Sequence, residues 1–357
     1  MRVILAAGTT ETALIDGISA AGAAPELMAQ TPSADIEILE YGRPTVSPVT
    51  PVSPTGCPTP AAVTRAVREV VDFDLTVVDA GLARPTGSPT VDLSVPAGAD
   101  VREPTAVPDA SAVFERAREF GASLPDDEVV VGETVPGGTT TALGVLTALG
   151  EPAGVSSSLP ENPLERKEAV VETALEASDL APAACEDDPL GAIGAVGDPV
   201  QATVAGIAAG ALDSGTDVTL GGGTQMVAIA AALRHAGVED PLSIATTSFV
   251  AEDPSADLEA TCDRLDCDLT VTDPGFRGRE HVSMQRYCAG EAKEGVGMGG
   301  VLSLVDDGEM AAVRDRFEAV CARLGIGADG VDLESAAGSG HGADADADAT
   351  AGADGGP

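Results

Sequence analysis

Seven short runs rich in β-branched residues recur along the 357-residue chain: RVILAA, DIEIL, DLTVVDAG, DEVVVGE, DVTLGGG, LSIATT and DLTVTDPG. Helical patterns stand between most of them, among them AAVTRAVREVVD, SAVFERAREFG and TQMVAIAAALRHAG. This alternation limits the fold more than any other feature. Parallel strands are joined by long crossovers, usually helices, and those helices must cover both faces of the sheet. The expected class is therefore α/β, a parallel sheet covered by helices on both faces. DLTVVDAG and DLTVTDPG read as repeated strand chemistry, not as an internal duplication.

Three segments break the alternation. Between Gly150 and Asp217 the strands stop and helices take over, in NPLERKEAVVETALEAS and DPVQATVAGIAAGALDSG, so roughly 151–216 reads as a helical insertion. The segment TVSPVTPVSPTGCPTP is too rich in proline for regular structure. It is either a linker or a long functional loop over a site, and the loop is preferred. From Ser335 the chain runs into GSGHGADADADATAGADGGP, which lacks the apolar side chains to offset its ordering entropy. The expected division is one α/β domain over 1–334 and a disordered acidic tail over 335–357, in which His341 is no candidate ligand.

The formal net charge is −39, and Lys167 and Lys293 are the only lysines. The acidic excess is spread along the chain, as expected of a surface kept hydrated in a salt-rich cytoplasm, where repulsion is screened. It argues against nonspecific nucleic-acid binding, which needs cations for the phosphates. No apolar run approaches a membrane span or a signal segment. The six cysteines form no CxxC pair and no zinc spacing, and read as free thiols of a reducing cytoplasm.

Three glycine-rich turns carry the chemistry. The first lies in GETVPGGTTTALGVLTALG, with Glu133 at a strand end and then Gly137, Gly138, Thr139 and Thr140. The second is Gly221, Gly222, Gly223 and Thr224 after the strand DVTL. The third is KEGVGMGG, with Lys293, Glu294, Gly295 and Gly297. Each places flexible backbone before a helix whose positive end favours an anion, although tight turns alone also use glycine. None is a P-loop, because no Gly-Lys-Ser/Thr follows. The missing charge is assigned to Lys167, in ERKEAVVE. Glu294, among Gly, Val and Met, is a candidate general base. Burial would raise its pKa and Lys293 would oppose that, so the sequence leaves the direction open. His281 is a candidate for lining the site, and His235 for a helix C-terminus.

PTGCPTPAAVTRA, VVDAGL, GETVPGGTTTALGVLTALG, SSSLPENP, the lysine in PLERKEAVVETAL, GGGTQM and KEGVGMGG occur in this order. Together they resemble the nicotinate-nucleotide–dimethylbenzimidazole phosphoribosyltransferases of cobalamin assembly, and the archaeal branch of that superfamily more closely, over roughly residues 1–330. The resemblance implies a Rossmann-like parallel sheet with a smaller helical part, usually in a homodimer. It implies transfer of the phosphoribosyl group of nicotinate mononucleotide to a nitrogenous base, without metal or cofactor. It implies Glu294 as base on the acceptor, Glu133 near the ribose, and Lys167 on the 5′-phosphate with Gly137, Gly138 and Thr139.

The chain also departs from the bacterial pattern. PTGCPTPAAVTRA stands where a Gly-Ser-Leu-Gly segment helps form the base pocket, Gly138 replaces an Asn, and Gly-Gly-Gly-Thr replaces an Asp-Gly-Phe turn. The acceptor is therefore open among dimethylbenzimidazole, another azole and adenine. Tyr41, Phe249, Phe276 and Tyr287 are the aromatics considered for stacking it, with Phe276 preferred. The rival readings are a non-catalytic nucleotide-binding relative and a Rossmann dehydrogenase, the latter disfavoured because no GxGxxG follows the first strand.

Overall fold

The structure is a computed structural model that describes residues 1–330 apart from 23 and 307. The expected tail, 335–357, lies outside the described residues. Seven strands form one sheet: β1 (Arg2–Ala7), β2 (Asp74–Asp79), β3 (Val91–Asp92), β4 (Glu128–Thr134), β5 (Asp217–Gly221), β6 (Leu242–Thr247) and β7 (Cys267–Thr272). All pairings are parallel and the order is β3-β2-β1-β4-β5-β6-β7. The chain winds outward one way from β1 and the other way from β4. Such a reversal leaves a crevice beyond the carboxyl ends of the two central strands.

The helices, in chain order, are α1 (Pro25–Met28), α2 (Thr31–Tyr41), α3 (Ala61–Arg68), α4 (Ala110–Ala122), α5 (Gly138–Leu149), α6 (Leu164–Ala177) and α7 (Pro189–Val196). They continue with α8 (Pro199–Asp213), α9 (Thr224–His235), α10 (Ser248–Ala251), α11 (Leu258–Arg264), α12 (Val282–Cys288), α13 (Met298–Leu302) and α14 (Met310–Arg323). The apolar strands are buried on both faces. Ile4 and Ala6 of β1 join a core with α4, α5, α8 and α9, whereas Val3, Leu5 and Ala7 join a second core with α2, α3, α13 and α14. Residues 151–216 hold α6, α7 and α8, and α8 lies directly on β1, β4 and β5. That helical stretch is thus a layer over one sheet face.

Six of the seven strand-like runs are strands, and DIEIL is not: it lies inside α2. Its alternation of carboxylate and isoleucine imitates a half-buried strand only if the carboxylates face water. Both are buried instead, Asp35 at 1% and Glu37 at 0% exposure. Glu37 accepts the backbone N–H groups of Thr45, Val46 (2.9 Å), Ser47 (3.2 Å) and Gly87 (2.6 Å). Burial alone would raise its pKa, but these donors outweigh it and hold the group below the usual value. Glu37 thereby pins the start of the proline-rich loop to α2.

The short helix α13 rests on β4, β5 and β6, backbone against backbone. A Cβ on Gly132 would stand 2.6 Å from the Gly297 Cα, inside any van der Waals contact. The glycines of KEGVGMGG therefore serve close packing as well as turning. Gly132→Ala is expected to destabilise the fold by about 2 kcal/mol or more, read as a lowered midpoint in denaturant melts.

Candidate active site

At the carboxyl end of β4, one of the two central strands, is a cavity walled by all three glycine segments. Its lining includes Glu133, Gly137, Gly138 and Thr139 from the end of β4 and the start of α5, and Gly223, Thr224 and Gln225 from the start of α9. Glu294 and Gly295 come from the segment before α13. Thr140, Gly222 and Gly297 stand behind the wall, Gly222 donating its N–H to the Ala245 carbonyl (2.9 Å). The Thr224 hydroxyl on the wall is buried with no partner.

Glu294 is cradled by backbone. It accepts from the N–H of Gly299 (2.8 Å), Thr247 (3.1 Å) and Gly295 (3.2 Å), and from the Thr246 hydroxyl (3.3 Å). A Cβ on Gly299 would meet the Glu294 Oε2 at 2.6 Å, so only glycine lets the carboxyl lie there. Burial pushes Glu294 up to about 7 against these donors. Burial thus settles the direction left open by sequence, and Lys293 does not oppose it, because its Nζ is committed to Asp253 Oδ2 at 2.6 Å. Glu133 is pushed higher, to about 8, first by burial and then by the neighbouring Asp198 and Glu294.

Lys167 is fully buried and does not line the cavity. Its Nζ donates to the Ser156 carbonyl (2.8 Å), one layer behind the wall formed by Ser156, Ser157 and Ser158. Burial, and then Lys293, lower its pKa to about 7. The lysine on the wall is Lys293. It draws Asp253 down to about 2 together with Ser255 and Ser156, against a burial effect that would raise it. Both lysines of the chain thus gather at the Ser156 side.

Two expectations are corrected. Phe276, the preferred stacking residue, is buried in a cluster with Phe249, Tyr287 and Phe317 and does not line the cavity, and neither Phe249 nor Tyr287 does so. Tyr41 is exposed and bonds the Gly87 carbonyl. Five of the eight aromatics lie in the second core, Phe114 and Phe120 pack against the first, and none lines the cavity, whose apolar lining comes chiefly from proline, valine and alanine. His281 likewise does not line the cavity, and its Nδ1 accepts the Ser283 N–H at the start of α12. His235 does end α9, bonded to Glu151 and the Glu186 carbonyl.

The proline-rich segment forms part of the wall, through Pro51, Val52, Ser53, Cys57, Pro58, Thr59 and Pro60. Glu291 ties it down, accepting from Ser53 (2.7 Å) and Thr55 two residues before Lys293. Sequence reasoning missed Asp35, and it gave the serine run and Gln225, the latter part of the second glycine turn, no role of their own. SSSLPENP and GGGTQM both stood out as motifs and offered a signal for the serine run and for Gln225. Asp35 was hidden by its strand-like alternation. Gln225 is held by its bond to Asp198 Oδ2 (2.6 Å), a contact between distant segments.

Because Glu133, Glu294 and Asp35 keep protons in the fold that the unfolded chain has released, stability falls as pH rises from about 4 toward 8. Glu133→Gln should leave the melting temperature near wild type at pH 4.5 and raise it by about 3 °C or more at pH 8.5. Thermal melts across this range check the sign.

A family model described as phosphoribosyltransferase matches residues 58–248. A UPF0284 protein of Halobacterium salinarum is 60% identical, over 84% of this chain and 90% of its own, and one of Methanosarcina mazei is 42% identical over 89% and 93%. Among solved structures, CobT from Thermus thermophilus superposes with a TM-score of 0.60, covering 89% of this chain and 83% of that one. A nicotinate-nucleotide–dimethylbenzimidazole phosphoribosyltransferase of the same organism does so at 0.59. At 18% identity those two are likenesses of fold. The family match covers more than half of the chain and the curated relatives extend over most of it, so this chain belongs to the phosphoribosyltransferase family, on the branch of the archaeal UPF0284 proteins.

Proposed function

We propose that the protein transfers the phosphoribosyl group of nicotinate mononucleotide to a ring nitrogen of a heterocyclic base, as a step in assembling the nucleotide loop of a cobamide. The observation that carries this reading is the pair Glu133 and Glu294. They come from separate segments, are both raised toward neutral pH and face one cavity at the switch point. The donor C1′–N bond breaks with its electron pair returning to the pyridine nitrogen, so nicotinate leaves without needing a proton. The acceptor nitrogen closes the new C1′–N bond from the opposite ring face, and its N–H proton passes to Glu294. Glu133, as the anion, stabilises the positive charge that builds on the ribose.

The phosphate is assigned to the Ser156 side, where Lys293 stands on the wall and Lys167 behind it. A dianion there would compete with Asp253 for Lys293 and favour the charged form of Lys167. The same reading carries a homodimer in a salt-rich cytoplasm, the second supported by the charge of −39. No helix among the described residues is long and apolar enough to cross a membrane.

The test uses the purified chain in concentrated KCl with nicotinate mononucleotide and a panel of bases. Released nicotinate and a new α-ribotide, seen by chromatography and mass, support the transferase. Bound nucleotide with no product favours the non-catalytic relative, and no binding removes the phosphate assignment. Glu294→Gln should lower kcat by about 10²–10⁴-fold while nucleotide affinity stays within a few-fold. In the wild type, kcat/KM should rise with pH through about 7 to 8, with apparent values that belong to the coupled carboxyls together. Lys293→Met should raise the nucleotide KM by about tenfold or more, and a KM unchanged within error would move the phosphate elsewhere.

A further inference from the structure

The mechanism leaves one buried carboxyl of the cavity without a task. Asp35 lines it from α2, at 1% exposure. The Thr59 hydroxyl donates to Oδ1 (2.7 Å) and the Thr134 hydroxyl to Oδ2 (2.8 Å). A carboxylate offers about four acceptor sites, so these two bonds leave about half unfilled. Both threonine protons are spent on Asp35. With Asp35 charged, as it is well above neutral pH, what this wall turns to a ligand is hydrogen-bond acceptors.

This wall lies beside the acceptor end of the site. Thr59 is followed by Pro60, whose Cγ is 3.6 Å from where a Cβ on Gly295 would stand, and Gly295 directly follows Glu294. The Thr64 hydroxyl bonds the Val296 carbonyl (2.9 Å), fixing the start of α3 against the same segment. The remaining surroundings are apolar, with Pro51, Val52, Pro58 and Val296 on the lining.

We propose, resting on the transfer reading above, that Asp35 determines acceptor specificity. It selects a flat heterocyclic base that reacts through an imidazole-type nitrogen and carries an N–H donor on another edge, as an aminopurine does. An alkyl-edged base such as dimethylbenzimidazole would cover these acceptors without returning a hydrogen bond, which costs binding energy. The apolar walls hold the ring of either base, and Asp35 chooses between them.

Calorimetric titration of the wild-type chain at about pH 8.5, where Asp35 is charged, with adenine, purine and N6,N6-dimethyladenine tests this directly, with and without nicotinate. Purine lacks the exocyclic amine, and the dimethyl compound keeps that nitrogen but has no N–H on it; all three keep the imidazole N–H. Adenine should bind about tenfold or more tightly than either. Asp35→Asn should bring the three affinities within about threefold of one another, with nicotinate mononucleotide affinity unchanged. Should that variant not fold, the wild-type series alone decides. Equal affinities for the three bases, or no binding of any, overturn the proposal even if dimethylbenzimidazole is turned over. Discrimination without ribotide formation leaves Asp35 as a reader of the base and removes the transfer reading instead.

Discussion

The site depends on a backbone contact. Where α13 meets the sheet, Gly297 lies against Gly132 and Gly300 against Gly221, and no side chain separates the two layers. That closeness carries Glu294 to the carboxyl ends of the central strands, beside Glu133. Gly299 then supplies both the room for the Glu294 carboxyl and one of the N–H groups that hold it. Side chains at this contact would push the layers apart and separate Glu294 from Glu133.

Holding buried acids close together opposes stability. Glu133, Asp35, Asp198 and Glu294 are all raised by burial, and Glu133 further by its neighbours. The fold answers with neutral donors: threonine hydroxyls on Asp35 and Asp198, a glutamine on Asp198, and backbone N–H groups on Glu294. Lysine is kept to one side, with Lys293 paired to Asp253 and Lys167 on a carbonyl. Both lysines thus lie on the Ser156 side, Lys293 paired with Asp253, while Glu133, Asp35 and Glu294 lie elsewhere on the wall.

The contrast between Glu37 and Asp35 shows how burial is used twice on one helix. Glu37 receives several backbone donors and is held as an anion, fixing two loops. Asp35, one helical half-turn earlier, receives two hydroxyls and is raised to about 7. The number and kind of donors decides which carboxylate anchors structure and which stays available to a ligand.

The sequence by itself determined the class of the fold. β-branched runs separated by helical patterns admit little but a parallel sheet covered on both faces, and six of those runs are strands. It also marked Glu133, Glu294 and the turns around Gly137, Gly223 and Gly295, because glycine beside an acid at a strand end is a local signal. The tertiary structure alone decided the rest. It placed DIEIL in a helix, because the burial of Asp35 and Glu37 rests on partners from residues 45 to 134. It set Lys167 behind the wall and Lys293 on it, and sent Phe276 to the core. Periodicity reports which residues avoid water locally, whereas which buried acid meets which donor depends on contacts between segments far apart in the chain.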